Sequence, residues 1–284
     1  MPQPVLLDTI SALRIWRNAE RRDGKRVGLV PTMGALHHGH LSLVNVIREE
    51  AESVVASIFV NPTQFAPTED FSKYPRAFER DLELLSEVDC DAVFAPQVSE
   101  MYPDGFSTAI SLAGPATVGL EDKFRPTHFT GVATVVAKLL LQSNADVAVF
   151  GEKDYQQLAV IRQLVRDLDL RVTILGAPTI REEDGLAMSS RNVYLTGRER
   201  SVAPLIHQTL QEAAEAVRAG MPFDAIEREA SAALTDAGFE VDYVAIRDAE
   251  TLREPAKDAA PGTLRLLAAA KIGSTRLIDN IATE

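Results

Sequence analysis

The stretch RVGLVPTMGALHHGHLSLVNVIREEAESVVASIFV, residues 26–60, decides the reading of the fold. It opens with an apolar run, RVGLVPT (26–32), that contains Pro31 near its end and reads as a buried strand. In LSLVNVIREEAE (41–52), Leu41, Val44 and Ile47 fall three apart, while Glu49, Glu50 and Glu52 lie off that face. That is helix spacing. SVVASIFV (53–60) is continuous and β-branched, the pattern of a strand buried on both faces. Strand, helix and strand in one stretch make a βαβ unit, and these are nearly always right-handed.

The alternation continues outward. PRAFERDLELLSEV (75–88) reads as a helix with Pro75 at its first position, DAVFAP (91–96) as a strand, and FTGVATVVAKLLLQSN (129–144) as a largely buried helix. ADVAVF (145–150), DYQQLAVIRQLVRDL (154–168) and RVTILGAPT (171–179) read as strand, amphipathic helix and strand. The implied fold is α/β, a Rossmann-like parallel sheet with helices on both faces. From residue 181 the chain turns polar, in REEDGLAMSSRNVYLTG (181–197). Two alanine-rich helices (197–219, 223–237) and two strand-like runs (239–248, 263–281) follow. The expected division is therefore 1–179 and a smaller α+β part, 180–284.

Composition excludes several classes. The formal net charge of −12 argues against a nucleic-acid or membrane surface, where a basic footprint is expected. An anionic substrate remains compatible, because a local basic pocket can sit on an acidic body. One cysteine, Cys90, rules out an intramolecular disulfide and a cysteine-rich zinc site. The N-terminus lacks the basic start and apolar core of a signal peptide, and no run approaches the roughly 18 apolar residues of a membrane span. A cytoplasmic protein is the default expectation.

The junction between the first strand and helix holds His37, His38 and His40. Three readings compete there: a metal site, a phosphate site, or an incidentally histidine-rich loop. A helix N-terminus offers unpaired N–H groups and partial positive charge, and ligands of open parallel sheets bind at strand carboxyl ends. Gly34 and Gly39 permit tight turns and close approach of a ligand. A zinc site wants three or four ligands, and His-x-x-His alone is a poor signal for one. Lys153 and Asp154 follow the strand 145–150; the lysine suits phosphate and the aspartate suits capping of the next helix.

TMGALHHGH resembles the HxGH signature of the nucleotidyltransferase superfamily. FVNPTQF (59–65), RPTHFTGV (125–132), FGEKDYQQL (150–158) and DGLAMSSRN (184–192) resemble, in that order, the pantothenate synthetase family. The likeness spans most of residues 25–200 and is weaker in the last third. It implies ATP-dependent ligation of D-pantoate and β-alanine through a pantoyl adenylate, with release of AMP and pyrophosphate. It also implies Mg2+ with the triphosphate, a homodimer, and a lid role for the C-terminal part.

By the same resemblance, His37, His40, Lys153, Ser189, Ser190 and Arg191 act on the phosphates. Thr32, Met33, Gly34, Gly39, Gly151, Asp154 and Met188 complete the ATP site, with Asp154 at the ribose. Met33, Asn61, Gln64 and Gln157 face pantoate, Tyr74 and Glu121 lie near β-alanine, and Asp81 helps hold magnesium. His38 fills the variable position of HxGH. Met188, Ser189, Ser190 and Arg191 resemble a mobile nucleotide loop. Competing readings are another HxGH nucleotidyltransferase and a non-catalytic ATP-binding module. An aminoacyl-tRNA synthetase lacks support, because the chain is acidic and shows no anticodon-binding part.

Overall fold

The computed structural model describes residues 3–67 and 69–283. The first sheet is built from β1 (Val5–Leu7), β2 (Val27–Thr32), β3 (Ser53–Ile58), β4 (Ala92–Phe94), β5 (Val147–Gly151) and β6 (Thr173–Ala177). Its order is β1-β4-β3-β2-β5-β6, and every pairing is parallel. From β2 the chain steps outward through β3 to β4, then returns to place β5 on the other side of β2. The strand order reverses at β2 and β5, and a crevice opens at their carboxyl ends. TMGALHHGH and FGEKDYQQL sit at the ends of these two strands, while FVNPTQF follows β3 and DGLAMSSRN lies beyond β6.

Successive strand residues point to opposite faces. Leu29, Val55, Ala148 and Phe150 share one core with α1 (Ile10–Arg22), α6 (His128–Ser143) and α7 (Tyr155–Asp167). Val30, Val54, Val147 and Val149 share the other with α2 (His38–Arg48) and α3 (Phe78–Glu87). The sheet is thus covered on both sides, which explains why its strands read as unbroken apolar runs. Short helices Val98–Met101 and Glu121–Phe124 lie in the connections.

The second part packs helices Leu205–Arg218 and Phe223–Asp236 on a three-stranded antiparallel sheet of β7 (Glu240–Asp248), β8 (Leu264–Ile272) and β9 (Thr275–Ala282). Three expectations need correction. The run 263–281 is a hairpin that turns at Gly273 and Ser274, with Ile272 paired to Thr275. The helix expected over 197–219 is two, Gly197–Val202 and Leu205–Arg218, broken at Pro204, which has no N–H to donate. Pro75 does not start α3; Ala77 precedes the first helical residue, Phe78, and the residues before it run to the crevice.

Candidate active site

The site is assembled from loops at the carboxyl end of the parallel sheet. After β2 the chain needs a sharp turn, and Gly34 takes φ +80 there, a conformation that favours glycine. Asp81 of α3 holds this turn. Its two carboxylate oxygens accept the N–H groups of Ala35 (2.9 Å) and Leu36 (2.8 Å), and the side chain is buried. Burial raises the Asp81 pKa, opposed by those two hydrogen bonds. With one N–H on each oxygen, Asp81 positions the loop.

The turn delivers His37 as the N-cap of α2. His37 Nδ1 accepts the Gly39 N–H at 3.1 Å, and His40 Nδ1 accepts the His37 N–H at 3.4 Å. This is a capping box made from two imidazoles, with ring centroids 4.1 Å apart. A nitrogen that accepts cannot carry the proton, so both rings are Nε2–H tautomers. Burial, with Lys153 and His38 nearby, lowers the His37 pKa to about 4. Burial, with His37 and Lys153, lowers that of His40 to about 3. Both are neutral hydrogen-bond donors at physiological pH. His38 is exposed.

Across the crevice, β5 ends at Gly151, and the turn Glu152–Asp154 presents Lys153. Asp154 occupies the N-cap position of α7 but makes no side-chain cap hydrogen bond, which corrects that expectation. Its carboxylate lies 3.9 Å from Lys153 Nζ. Of the adjacent glutamines, Gln157 lines the crevice. Gln156 is buried, with its amide spent on the Glu121 N–H, Pro115 O and Asp122.

The third wall comes from residues 61–64. Gly131 of α6 admits it, since a Cβ there would lie 2.4 Å from the Thr63 carbonyl oxygen. Asn61 is buried and donates to Gln64 Oε1 and Gly131 O, while its Oδ1 accepts from Tyr102. Gln64 Nε2 lies 3.2 Å from Met33 Sδ. Thr32 Oγ1 donates to Ser57 O, and Thr32, Met33 and Gly39 line the same space.

The fourth wall is the 188–191 segment. Ser189 Oγ accepts the Arg191 N–H, Tyr74 and Ser190 share a hydrogen bond of 3.0 Å, and Arg191 pairs with Asp70 at 2.9 and 3.0 Å. Arg191 also stacks over Tyr74. The segment read as a mobile loop is therefore pinned to residues 70–74 in this structure. Met188 completes the wall.

Glu121 does not line the main crevice. Its carboxylate is held by Arg276 (2.7 and 2.8 Å) and Tyr243 (2.9 Å) from the second sheet. It ties the two parts together and lines a smaller adjoining cavity that shares Lys153, Asp154 and Gln157 with the crevice.

Sequence reasoning gave no role to Arg125 and His128, although both lie in the quoted RPTHFTGV. Arg125 pairs with Glu69 at 2.7 and 2.9 Å and donates to His128 Nε2, leaving His128 Nδ1–H for Gln64 O at 3.0 Å. Burial beside Arg125 lowers the His128 pKa to about 4. Thr179 also lines the crevice, with its hydroxyl buried and unpartnered. A lone threonine carries no signal in sequence.

Two neutral imidazole donors, a lysine and an Arg–Ser segment surround one crevice, which suits a polyphosphate on an acidic protein. Among the described residues, no three His, Cys, Asp or Glu side chains stand where they could hold a metal ion. None of the described helices is long and apolar enough to cross a membrane. The family model described as pantoate-beta-alanine ligase matches residues 5–282. The chain belongs to the pantoate-beta-alanine ligase family. A pantothenate synthetase of Mesorhizobium japonicum is 57% identical over 99% of this chain and 98% of its own length. That of Caulobacter vibrioides is 53% identical over 99% of both. The crystal structure of the pantothenate synthetase from Thermus thermophilus has a TM-score of 0.91 and 48% identity, covering 98% of this chain and 99% of that one. A Francisella tularensis pantoate-beta-alanine ligase, complexed with beta-gamma ATP and beta-alanine, has a TM-score of 0.83 and 34% identity over 99% of this chain and 98% of its own. As a member of this family, the protein is a ligase that joins pantoate to β-alanine.

Proposed function

We propose that the ATP-dependent condensation runs in this crevice through pantoyl adenylate. The carboxylate of D-pantoate attacks the α-phosphorus of ATP and pyrophosphate leaves. The β-alanine amine then attacks the acyl carbon; AMP leaves with the C–O bonding pair and the amine loses a proton. The observation that carries this reading is the paired imidazoles. Their Nδ1 atoms are occupied by backbone N–H groups, so Nε2–H remains as each ring's donor. Such fixed donors, with Lys153 opposite, stabilise charge growing on phosphate oxygens without reorganising.

Ser189, Ser190 and Arg191 close on the phosphates from the far wall, and Asp154 serves the ribose. The amides of Gln64 and Gln157, with Asn61 behind Gln64, suit a hydroxy acid. Tyr74 stands on the β-alanine side. No side-chain nucleophile is needed, because pantoate brings its own carboxylate and the site supplies positioning. Magnesium fits as the companion of the triphosphate, screening its charge. It usually takes phosphate oxygens plus one or two carboxylates, and Asp154 is the carboxylate that lines this crevice. The same reading includes a homodimer in the cytoplasm. Cys90 is buried and its thiol pushed up to about 11 by burial, which suits a chain with no use for a disulfide.

Product analysis with ATP, pantoate and β-alanine tests the route. AMP and pyrophosphate are expected in equal amounts, with pyrophosphate released before β-alanine is added. ADP and inorganic phosphate as first products would exclude an adenylate.

A further inference from the structure

The turn that presents Lys153 is held from the second sheet. Asn280 of β9 is buried, and its Nδ2 donates to two carbonyl oxygens in succession, Glu152 O and Lys153 O, each at 2.9 Å. Its Oδ1 is fixed in turn by Arg265 Nε of β8 at 2.7 Å. Arg265 reaches the Glu152 carboxylate at 3.3 Å and lies over the Tyr155 ring at 4.2 Å. Every polar atom of the Asn280 amide is thus used, and Glu152 and Lys153 of the turn and Tyr155 just after it are gripped. By contrast, the turn has no side-chain cap of its own at either Gly151 or Asp154.

We propose that Asn280 is a positioning residue for Lys153. By clamping the carbonyls on either side of the Lys153 nitrogen and alpha carbon, it fixes the backbone from which the ammonium reaches the phosphates. The second sheet then contributes to the first chemical step without touching substrate. The chemical reason for asparagine is specific: two adjacent carbonyls need two N–H donors on one atom, and Arg265 needs an acceptor on the other. Aspartate is the same size and keeps that acceptor, but puts oxygen where the carbonyls require donors.

This inference rests on the phosphate role of Lys153 proposed above, and a double-mutant cycle separates the two. Single-turnover pyrophosphate release is measured for the full chain, Asn280→Asp, Lys153→Ala and the double variant, with thermal melting of each. Asn280→Asp is expected to slow release roughly 10–10²-fold, the cost of misplacing a group by about an ångström. In the Lys153→Ala background the same substitution should change the rate by no more than about twofold, the usual error of additivity. Arg265→Met, which releases the orientation of the amide while keeping apolar bulk over Tyr155, should show the same dependence on Lys153; it carries the cycle if Asn280→Asp does not fold. Equal slowing in both backgrounds, or none in either single variant, overturns the positioning role. A Lys153→Ala variant with undiminished release overturns instead the phosphate role on which it rests.

Discussion

Two turns face each other across the crevice, and they are held by opposite means. The turn after β2 is held largely by itself: His37, Gly39 and His40 cap one another within four residues, and Asp81 pins the preceding backbone. The turn after β5 has no cap of its own and depends on Asn280, 127 and 128 residues away. The first rests chiefly on neighbours in sequence, with Asp81 added from 45 and 46 residues away, and the second on neighbours in space alone. The phosphate role proposed for this crevice needs both to be stiff, and the comparison shows chiefly short-range capping on one side and long-range clamping on the other.

The hardest blow to the self-held side is removal of its donors. His40→Ala should cut single-turnover pyrophosphate release by roughly 10²–10³-fold, the usual worth of a fixed donor to a developing oxyanion. Because His40 also closes the capping box, it should lose about 0.5–2 kcal/mol of stability as well. His37→Ala should act similarly. Retention of both melting temperature and rate in His40→Ala would break the comparison at its root.

Asp81→Asn sharpens it, by asking whether this carboxylate serves the loop or a metal. One oxygen acceptor becomes a donor facing a backbone N–H, so stability should fall by about 1–3 kcal/mol. Pyrophosphate release should slow about tenfold, as expected for a modest displacement of the histidines. Excess magnesium should restore neither. Full recovery at high magnesium would return Asp81 to the metal.

A smaller effect is expected from pH. His37, His40 and His128 have folded pKa values of about 4, 3 and 4, below the unfolded value of about 6.5. Between those values the unfolded chain binds more protons, so stability rises with pH. Their contribution is full above about pH 6.5 and is lost as pH falls toward 4 and 3. Melting temperature should therefore drop through that window, and the slope should shallow in His128→Asn. An unchanged slope would remove His128 from the account. The smallest effect belongs to His38→Ala. The side chain is exposed and lies outside the crevice lining, so rate and melting should both match the parent. A loss equal to that in His40→Ala, reversed by zinc alone, would revive the metal reading of the three histidines.

Sequence reading reached the two turns and mistook several of their supports. The period of the apolar residues exposed the strand–helix alternation, and the strand ends then placed His37, His40 and Lys153 at one edge. Asp81 looked like a solvated acid or a metal ligand because nothing near it in sequence shows the Ala35 and Leu36 N–H groups that it meets. Glu121 and Arg276 are separated by 155 residues, so their pairing leaves no local trace. The hairpin over 264–282 was hidden because its Gly273-Ser274 turn is brief and Arg276, Asp279 and Asn280 interrupt the apolar pattern of the second strand.

By itself the sequence determined the parallel sheet and the two turns at its carboxyl edge. Hydrophobic period and capping chemistry act between residues a few positions apart, so the local order of residues expresses them. Only the tertiary structure decided that Asp81 holds the Ala35–Leu36 backbone, that Glu121 meets Arg276, and that Asn280 clamps the Lys153 turn. A buried polar group must find a partner wherever the fold brings one, and that partner is fixed by packing across distant parts of the chain.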